Sequence, residues 1–368
     1  MNILHVISAP AAGGAETYIR DLCSHANANG HEFSIAFIAN AKEIGRSSEF
    51  EAKFLESLEN SRVMFFFLPA GTKRNPIRGM LSSINAIRMR RPDVIHVHLL
   101  TGLLVFSLCS AFLPIVYTHH NIKIYHRSWL FKAFMKLSRG YVGISDKCTE
   151  VLTKMVPHGR DVRTIHNGIL TQRVTSLRDA TPTPAVDTTC VSLIAVGALS
   201  EQKNYPLLLR ALALIKTRTE SAFHLSIVGE GGEGNTQAIH QQIADQNLAN
   251  VVTLLGNRSD VPQLLCHSDI FVLSSSWEGL PISLLEAQAA GLPSVVTDVG
   301  GCGEVIERTQ GGIVVAPEDA ETLAVALLQL IEMPEYREKL RACALQNIHH
   351  FDISSSFKKH IDYYSELI

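Results

Sequence analysis

The sequence predicts an α/β protein made of two doubly wound domains, each built on a parallel sheet. Three observations lead to this prediction: a length of 368 residues, short apolar runs that alternate with helical patterns throughout, and one break in composition near the middle. Each half opens with a strand, a loop of small residues and a helix. Because such domains bind ligands at the carboxyl ends of their strands, we expect a site in the cleft between the two.

Twelve apolar runs have the length and flanking residues of buried strands. In the first half they are 2–8, 33–38, 63–67, 93–97, 114–118 and 141–144, and in the second half 191–196, 223–228, 251–255, 269–273, 294–297 and 313–315. Helical patterns separate them, which is typical of βαβ units.

The break in composition sets the predicted domain boundaries. Residues 171–189 are rich in Thr, Pro, Asp and Ala, with a Thr-Pro-Thr-Pro run at their centre, which is typical of a linker. We therefore expect a first domain over 1–170 and a second over 190–350. The last segment, 351–368, is a predicted helix with several aromatic residues.

Composition indicates a soluble globular protein, with 46% hydrophobic and 18% charged residues. The net charge of −2 hides an asymmetry: residues 1–170 carry 20 basic and 12 acidic residues, so +8, and the remainder carries 13 and 23, so −10. A basic first half suggests an anionic surface or acceptor, although uneven surface charge without a partner gives the same count.

Cysteines and apolar segments predict a cytoplasmic location. The seven cysteines are scattered without a CxxC pair, which fits free thiols in a reducing compartment. A strand begins at Asn2, so no signal peptide is expected. Polar residues and Pro114 interrupt the apolar stretch 99–117, which reads as a buried helix followed by a strand rather than a membrane span.

The most informative stretch runs from Ser274 to Ala287. It follows a predicted buried strand, and Pro281 suits the first turn of a helix. Glu278 then lies in the strand-to-helix loop, and Glu286 lies about one turn into the helix. Free amides around Leu280 and the helix dipole form an anion site between two carboxylates, which suits the diphosphate and hydroxyls of a sugar nucleotide.

Two further loops can hold phosphate, and a third only resembles a phosphate-binding loop. Gly13 and Gly14 follow the first strand and allow close backbone approach, although a tight turn explains them equally well. Lys203 follows the first strand of the second half and can balance a diphosphate and its leaving-group charge. Residues 229–234 match G-x-G-x-x-G, but Glu230 and Glu233 would repel a pyrophosphate, so a dinucleotide-dependent dehydrogenase is disfavoured.

Histidines are numerous, at sixteen, and most are expected to be structural. His96 and His98 fall on one face of a strand, but two ligands do not complete a zinc site and the sequence offers no evident third. No Asp-x-Asp sequence occurs. We therefore predict neither a metal nor another cofactor.

Six elements in order resemble glycosyltransferase family 4, whose members are retaining enzymes of GT-B fold. They are Gly13-Gly14-Ala15-Glu16, Thr118-His119-His120, Asn167-Gly168, Val196-Gly197 through Lys203, Glu278 with Glu286 as the E-x7-E element, and Gly300-Gly301-Cys302-Gly303-Glu304. They span nearly the whole chain. In one respect the chain departs from the family, because Ala198 stands where an arginine is usual, and Arg258 is a possible substitute cation.

The resemblance implies a role for each matched residue. Glu278 would face the donor sugar, Glu286 would bind the ribose, and Lys203 with the Gly13–Gly14 loop would support the diphosphate. His120 would support the transition state, with His119 adjacent and His98 lining the acceptor cleft. The remaining residues implied to contact the substrates are Asn167, Gly229, Asn257, Arg258, Gly279, Leu280, Pro281, Gly300 and Gly301. The C-terminal helix would pack back on the first domain.

The resulting expectation is transfer of a hexosyl or N-acetylhexosaminyl group from a nucleotide-diphosphate sugar to a saccharide or lipid-linked saccharide, with UDP-sugars favoured over GDP-sugars. Residues 123–136 mix cations with aromatic residues, which suits an amphipathic helix on an anionic membrane or an ordinary packed helix. Nucleic acid is not an expected partner. A sugar-nucleotide epimerase and a non-catalytic sugar-nucleotide binding protein remain alternatives. A glycosidase is disfavoured, because both glutamates fall on one segment.

Overall fold

The computed structural model describes residues 1–10, 13–45, 48–123, 133–180 and 190–368. The chain divides into two compact units. The first comprises Met1–Gly168 together with Ile353–Ile368, and the second comprises Ile169–Asp352. Each unit is a three-layer α/β fold.

The first unit is built on a parallel sheet of seven strands. They are β1 Asn2–Ile7, β2 Glu32–Phe37, β3 Met64–Phe67, β4 Val94–Val97, β5 Ile115–His119, β6 Gly140–Gly143 and β7 Val162–Thr164. Their order is β3-β2-β1-β4-β5-β6-β7, so the direction of winding reverses between β1 and β4. A doubly wound sheet opens a crevice at such a point, beyond the carboxyl ends of these two strands.

Helices cover both faces of this sheet. They are α1 Gly14–Ala28, α2 Ser48–Asn60, α3 Pro76–Arg90, α4 Leu100–Val105 and α5 Asp146–Thr153, and the C-terminal helix Ile353–Leu367 packs on α1. Pro76 occupies the first turn of α3, where its missing N–H costs nothing, and the Ser145 hydroxyl caps α5 by accepting from the Cys148 amide. Among the described residues, no helix combines the length and apolar composition needed to cross a bilayer.

The second unit has a parallel sheet of six strands. They are β8 Cys190–Val196, β9 Ala222–Val228, β10 Val252–Gly256, β11 Ile270–Leu273, β12 Ser294–Thr297 and β13 Gly312–Val315. The order is β10-β9-β8-β11-β12-β13, and the winding reverses between β8 and β11. The loops after these two strands therefore carry the residues nearest to the expected ligand crevice of this unit.

Eight helices accompany these strands in the described part of the second unit. They are α6 Thr171–Ala180, α7 Tyr205–Lys216, α8 Glu233–Asp245, α9 Val261–Cys266, α10 Ile282–Ala290, α11 Cys302–Thr309, α12 Ala320–Glu332 and α13 Pro334–Asn347. Short 3₁₀ turns occupy Glu201–Lys203 and Ile348–Phe351. The core lies between the helices and the sheet, where leucines of α7 and α12 pack on alternate strand residues.

The fold class predicted from the sequence is confirmed, and the twelve predicted strands all occur with ends within one residue of those expected. The thirteenth strand, β7, was not predicted, since three residues are too few to show a pattern. The predicted linker over 171–189 is wrong for its first part. Thr171–Ala180 forms α6, which buries Val174 and packs on α9 and α10. The proline-rich part, 181–189, lies outside the described residues.

Candidate active site

The loop between β11 and α10 carries the central residues of the second unit. β11 ends at Leu273, and α10 begins at Ile282 with Pro281 as its N-cap residue. Glu286 therefore lies one turn into the helix, as the sequence predicted. The first two amides of α10, at Ile282 and Ser283, precede the intrahelical bonds, which begin with the Leu284 and Leu285 amides donating to the Pro281 carbonyl at 3.2 and 3.4 Å. The local geometry is that of an anion site.

Glu278 and Lys203, two predicted catalytic residues, form an ion pair. The Lys203 Nζ donates to Glu278 Oε1 at 2.7 Å, and the side chains are only 15% and 6% exposed. The Ser275 hydroxyl donates to the same oxygen at 2.7 Å, and the Gln202 amide donates to Oε2 at 3.0 Å. Both oxygens of Glu278 are thus held by charge-assisted hydrogen bonds. Gln202 and Ser275 were not predicted, because neither residue type signals a site by itself.

The loop after β8 is joined to the loop after β11 by its backbone. The Ser276 amide donates to the Gln202 carbonyl at 2.9 Å, and the Ser274 hydroxyl donates to the Lys203 carbonyl at 2.9 Å. Asn204 then adopts a left-handed conformation with φ of 46° and begins α7. These bonds fix the 3₁₀ turn that carries Lys203. The loop after β11 therefore positions the lysine that pairs with its own Glu278.

Two glycines bring backbone segments of this site into close contact. Gly300 has φ of +54°, and a Cβ there would lie 2.1 Å from the Glu278 carbonyl oxygen. The next amide, Gly301 N, donates to the Gly279 carbonyl at 2.7 Å. At Gly229, with φ of +143°, a Cβ would lie 2.1 Å from the Gly197 carbonyl oxygen. A side chain at either position would displace the loops that carry Glu278 and Lys203.

Glu286 is also paired. Its Oε1 accepts from Arg173 Nη2 at 3.3 Å, and its side chain is 13% exposed. Arg173 belongs to α6, the helix predicted to be part of the linker, so sequence reasoning missed it. Leu280, two residues before the start of α10, is buried.

A concave region of about 240 Å³ lies beside β9 and β10, and Gly229, Glu230 and Gly256 contribute to its lining. Asn257 follows this turn and is exposed. Arg258, the possible substitute for the missing family arginine, binds Asp260 through its Nε and Nη2 at 2.8 and 2.6 Å. This contact lowers the pKa of the Asp260 carboxyl. The guanidinium charge is therefore partly neutralised by its own neighbour.

The predicted histidines of the first unit form a chain. His120 Nε2 lies 2.8 Å from His98 Nδ1, and His98 Nε2 lies 2.9 Å from His5 Nδ1. Burial, with a contribution from His119, lowers the pKa of His120 to about 3 and keeps its ring neutral near pH 7. The His119 Nδ1 is 3.3 Å from the Tyr117 hydroxyl, and burial lowers the pKa of His119 to about 4. His5 was not predicted, because a lone histidine in a strand carries no signal.

The remaining predicted residues of the first unit lie at the ends of elements. Gly13 is the N-cap residue of α1, and Gly14 is its first residue, so this loop opens a helix as expected. A Cβ on Gly13 would meet the Glu16 carboxylate at 2.0 Å. Asn167 is buried next to the end of this unit.

Comparison with known proteins places this geometry in a family. Residues 184–346 match the family described as glycosyl transferases group 1, and residues 12–173 match the family described as Glycosyltransferase Family 4. One relative is the UDP-Gal:alpha-D-GlcNAc-diphosphoundecaprenol alpha-1,3-galactosyltransferase of Escherichia coli, 24% identical, with 83% of this chain and 84% of that protein aligned. Another is the N,N'-diacetylbacillosaminyl-diphospho-undecaprenol alpha-1,3-N-acetylgalactosaminyltransferase of Campylobacter jejuni subsp. jejuni, 35% identical over 33% of this chain and 32% of that protein.

Solved structures give the same fold. Anabaena HepE in complex with UDP superimposes with a TM-score of 0.79 over 100% of both chains at 20% identity. The sucrose-phosphate synthase of Thermosynechococcus elongatus does so with 0.78 at 16% identity, over 100% of this chain and 99% of that one. Both family matches and the GT-B architecture agree with the motifs found in the sequence, and the chain belongs to glycosyltransferase family 4.

Proposed function

We propose that this glycosyltransferase transfers a hexosyl or N-acetylhexosaminyl group from a UDP-sugar to a saccharide or lipid-linked saccharide, with retention of configuration and without a metal ion. The observation that carries the proposal is the buried Lys203–Glu278 pair next to the start of α10. A cation, free helix amides and a carboxylate together meet the needs of a sugar diphosphate: charge balance for the phosphates and an acceptor for the sugar hydroxyls.

Donor binding changes the partners of Lys203. Its ammonium is bound to Glu278 at 2.7 Å. A diphosphate at the α10 amides brings two negative charges to the same ammonium, which can rotate toward them because its stem is flexible. Glu278 keeps its bonds from Ser275 and Gln202 and turns an oxygen toward the sugar hydroxyls. Lys203 then stabilises the charge that grows on the leaving diphosphate.

Glu286 is the proposed acceptor for the ribose hydroxyls. Its carboxylate lies within the first turns of α10 and is held by Arg173 at 3.3 Å. That bond is long for a charge-assisted contact, so a ribose hydroxyl can compete with Arg173 for the carboxylate. The pocket lined by Gly229 and Gly256 is the proposed position of the base, with Asn257 and Arg258 at its rim.

His120 is proposed to act as a neutral hydrogen-bonding group at the reacting centre. Its low pKa argues against an imidazolium in the working pH range. His98 holds one ring nitrogen at 2.8 Å and thereby sets the orientation of the ring. In this proposal the acceptor proton leaves with the donor phosphate rather than through His120.

The proposed chemistry needs no divalent cation at the diphosphate. No Asp-x-Asp sequence occurs in the chain, and Lys203 with the α10 amides supplies the balancing charge. The acceptor proposal is supported by the names of the Escherichia coli and Campylobacter jejuni relatives, whose acceptors are diphosphoundecaprenol-linked sugars. It is also supported by the +8 charge of residues 1–170. The segment 123–136 proposed to contact the membrane lies mostly outside the described residues.

The experiment combines donor binding with product analysis. Thermal shifts are measured with UDP and GDP, and the better base is then supplied as its sugars together with a polyprenyl-diphosphate saccharide. A nucleotide at about 100 times its dissociation constant adds roughly 2.7 kcal/mol of stability, so we expect a clear shift with UDP and a smaller one with GDP. The same measurements are made on Lys203→Met, which removes the proposed diphosphate contact. Lys216→Met, which removes an exposed lysine, is its control.

The products decide between the alternatives. An α-linked product from an α-linked donor, formed equally well with EDTA, supports the proposal in full. A changed sugar nucleotide without acceptor would identify an epimerase, and donor binding without any turnover would identify a binding protein. A β-linked product from an α-linked donor would refute retention of configuration and leave the other parts of the proposal standing.

A further inference from the structure

Three histidines of the first unit meet where its sheet changes direction. His5 on β1 is the register partner of His96 on β4, and His98 lies two residues further along the same face. One ring nitrogen of each lies within 4.8 Å of the others. His5 and His96 are completely buried, whereas His98 is partly exposed and connects the cluster to solvent. In the sequence, His96 and His98 lacked a third ligand, and the fold supplies it as His5.

The geometry points to a metal site: we propose that His5, His96 and His98 bind one zinc ion. Zinc–nitrogen bonds are about 2.0–2.1 Å long, so tetrahedral ligands lie roughly 3.3 Å apart. His5 Nδ1 and His98 Nε2 are already 2.9 Å apart, and an ion takes the place of the proton between them. His96 reaches the same point when its ring turns away from the His98 ring, whose centroid is 4.2 Å distant, and gives up one of its two hydroxyl partners. A water molecule would complete the tetrahedron as the fourth ligand.

The surrounding side chains orient these rings as outer-sphere partners of a metal do. His96 bonds Tyr364 OH through Nδ1 and Thr118 Oγ1 through Nε2, both at 2.5 Å, so whichever nitrogen binds zinc, the other keeps a hydroxyl partner. His98 Nδ1 is held by His120 at 2.8 Å. Such bonds fix the tautomer and raise the basicity of the ligating nitrogen.

One ring nitrogen of His5 faces away from the other two histidines of the cluster. Its second ring nitrogen, Nε2, is buried and has no hydrogen-bond partner in the described part of the chain. Buried polar atoms are normally satisfied. If the His5 ring turns, Nε2 becomes the ligand and Nδ1 carries the ring proton; if it does not, Nδ1 is the ligand and Nε2 carries the proton.

Ligand chemistry selects the ion. Neutral imidazoles suit zinc and its neighbours, whereas Mg²⁺ and Ca²⁺ require oxygen ligands. A zinc held by three neutral rings lowers the pKa of its bound water, so the resulting hydroxide offsets part of the buried charge. The ion would join β1 to β4 and, through His96 and Tyr364, to the C-terminal helix. Its role is structural, and through His98 it also helps to hold the His120 ring.

The test is zinc retention by the tag-free full-length chain. The protein is unfolded with chelator, refolded with or without Zn²⁺, passed through a desalting column and assayed for bound metal. We expect about one zinc per chain and a higher melting temperature with Zn²⁺, but no change with Mg²⁺. His98→Asn should weaken zinc binding at least 100-fold, since even outer-sphere changes cost 10–100-fold. His98→Cys, which keeps a ligand, should restore retention.

The matched control is His349→Asn with His350→Asn. These two rings are exposed and 4.2 Å apart in the second unit, so they are a source of adventitious zinc. Loss of zinc in this control, or retention in His98→Asn, overturns the proposal. X-ray absorption of the zinc-loaded wild-type chain gives a test that needs no variant: three imidazoles in the first shell support the site, and fewer than three contradict it. No stoichiometric zinc after refolding also contradicts it.

Discussion

Removing the Glu278 carboxylate isolates the energy of the Lys203–Glu278 pair. In Glu278→Ala the Lys203 ammonium, 15% exposed, loses its carboxylate and keeps its charge. Breaking a buried ion pair by removing one partner costs about 3–5 kcal/mol. The donors Ser275 and Gln202 also lose their acceptor, which adds to the penalty. For a unit of this size each kcal/mol lowers the melting temperature by about 2–4 °C.

The double variant Glu278→Ala/Lys203→Met tests whether the unbalanced charge causes that loss. Methionine keeps most of the lysine's length but carries no charge, so the double variant should be more stable than Glu278→Ala. We expect a coupling free energy of about 1–3 kcal/mol, as for residues in direct contact. Transfer activity should be lost in Glu278→Ala and in the double variant, because neither has the Glu278 carboxylate. The double variant regains only stability.

The assay is urea unfolding followed by tryptophan fluorescence in a Trp129→Phe background. Trp277 is then the only tryptophan of the chain, and it lies next to Glu278 in the second unit. The fluorescence therefore reports on the unit that contains the pair. If Glu278→Ala costs less than about 1 kcal/mol, or if the two substitutions are additive, the pair is not a buried, coupled contact and the reasoning fails.

Four other predictions follow from the same structure. Glu286→Gln should weaken UDP binding by about 1–3 kcal/mol through the lost ribose acceptor, and unchanged calorimetric affinity in a folded variant refutes that role. Gly300→Ala should destabilise the second unit and reduce transfer, since its Cβ would lie 2.1 Å from a carbonyl oxygen at φ of +54°; wild-type melting would contradict this. Initial transfer rates should be equal with EDTA and with Mn²⁺, whereas refolding without Zn²⁺ should lower the melting temperature. Sedimentation with anionic liposomes should weaken with salt and disappear when Arg127, Lys132 and Lys136 are all changed to Glu; binding that survives indicates ordinary helix packing.

The sequence predicted the parallel strands because buried strands leave continuous apolar runs that need no tertiary information. It also placed Glu278 and Glu286 correctly around the start of α10, since a strand, a proline and a helical pattern fix that register. Local signals of this kind are enough to position a loop on a sheet.

Contacts between distant segments could not be predicted. Arg173 reaches Glu286 from α6, 113 residues earlier, and the polar composition around it favoured a linker. Likewise His5 joins His96 and His98 only because β1 pairs with β4 in the sheet. Strand order is decided by packing of the whole unit. The spacing of residues within one stretch of sequence does not predict which strands become neighbours.

The central claim, that Lys203 holds the donor diphosphate, is tested most directly by calorimetric binding of UDP and UMP to the wild-type chain and to Lys203→Met. A hydrogen bond to a charged group contributes about 1.5–3 kcal/mol, so the wild-type chain should prefer UDP over UMP by roughly 10–150-fold. In Lys203→Met that preference should largely disappear, while UMP affinity changes little. An undiminished preference for UDP in the folded variant would contradict the account.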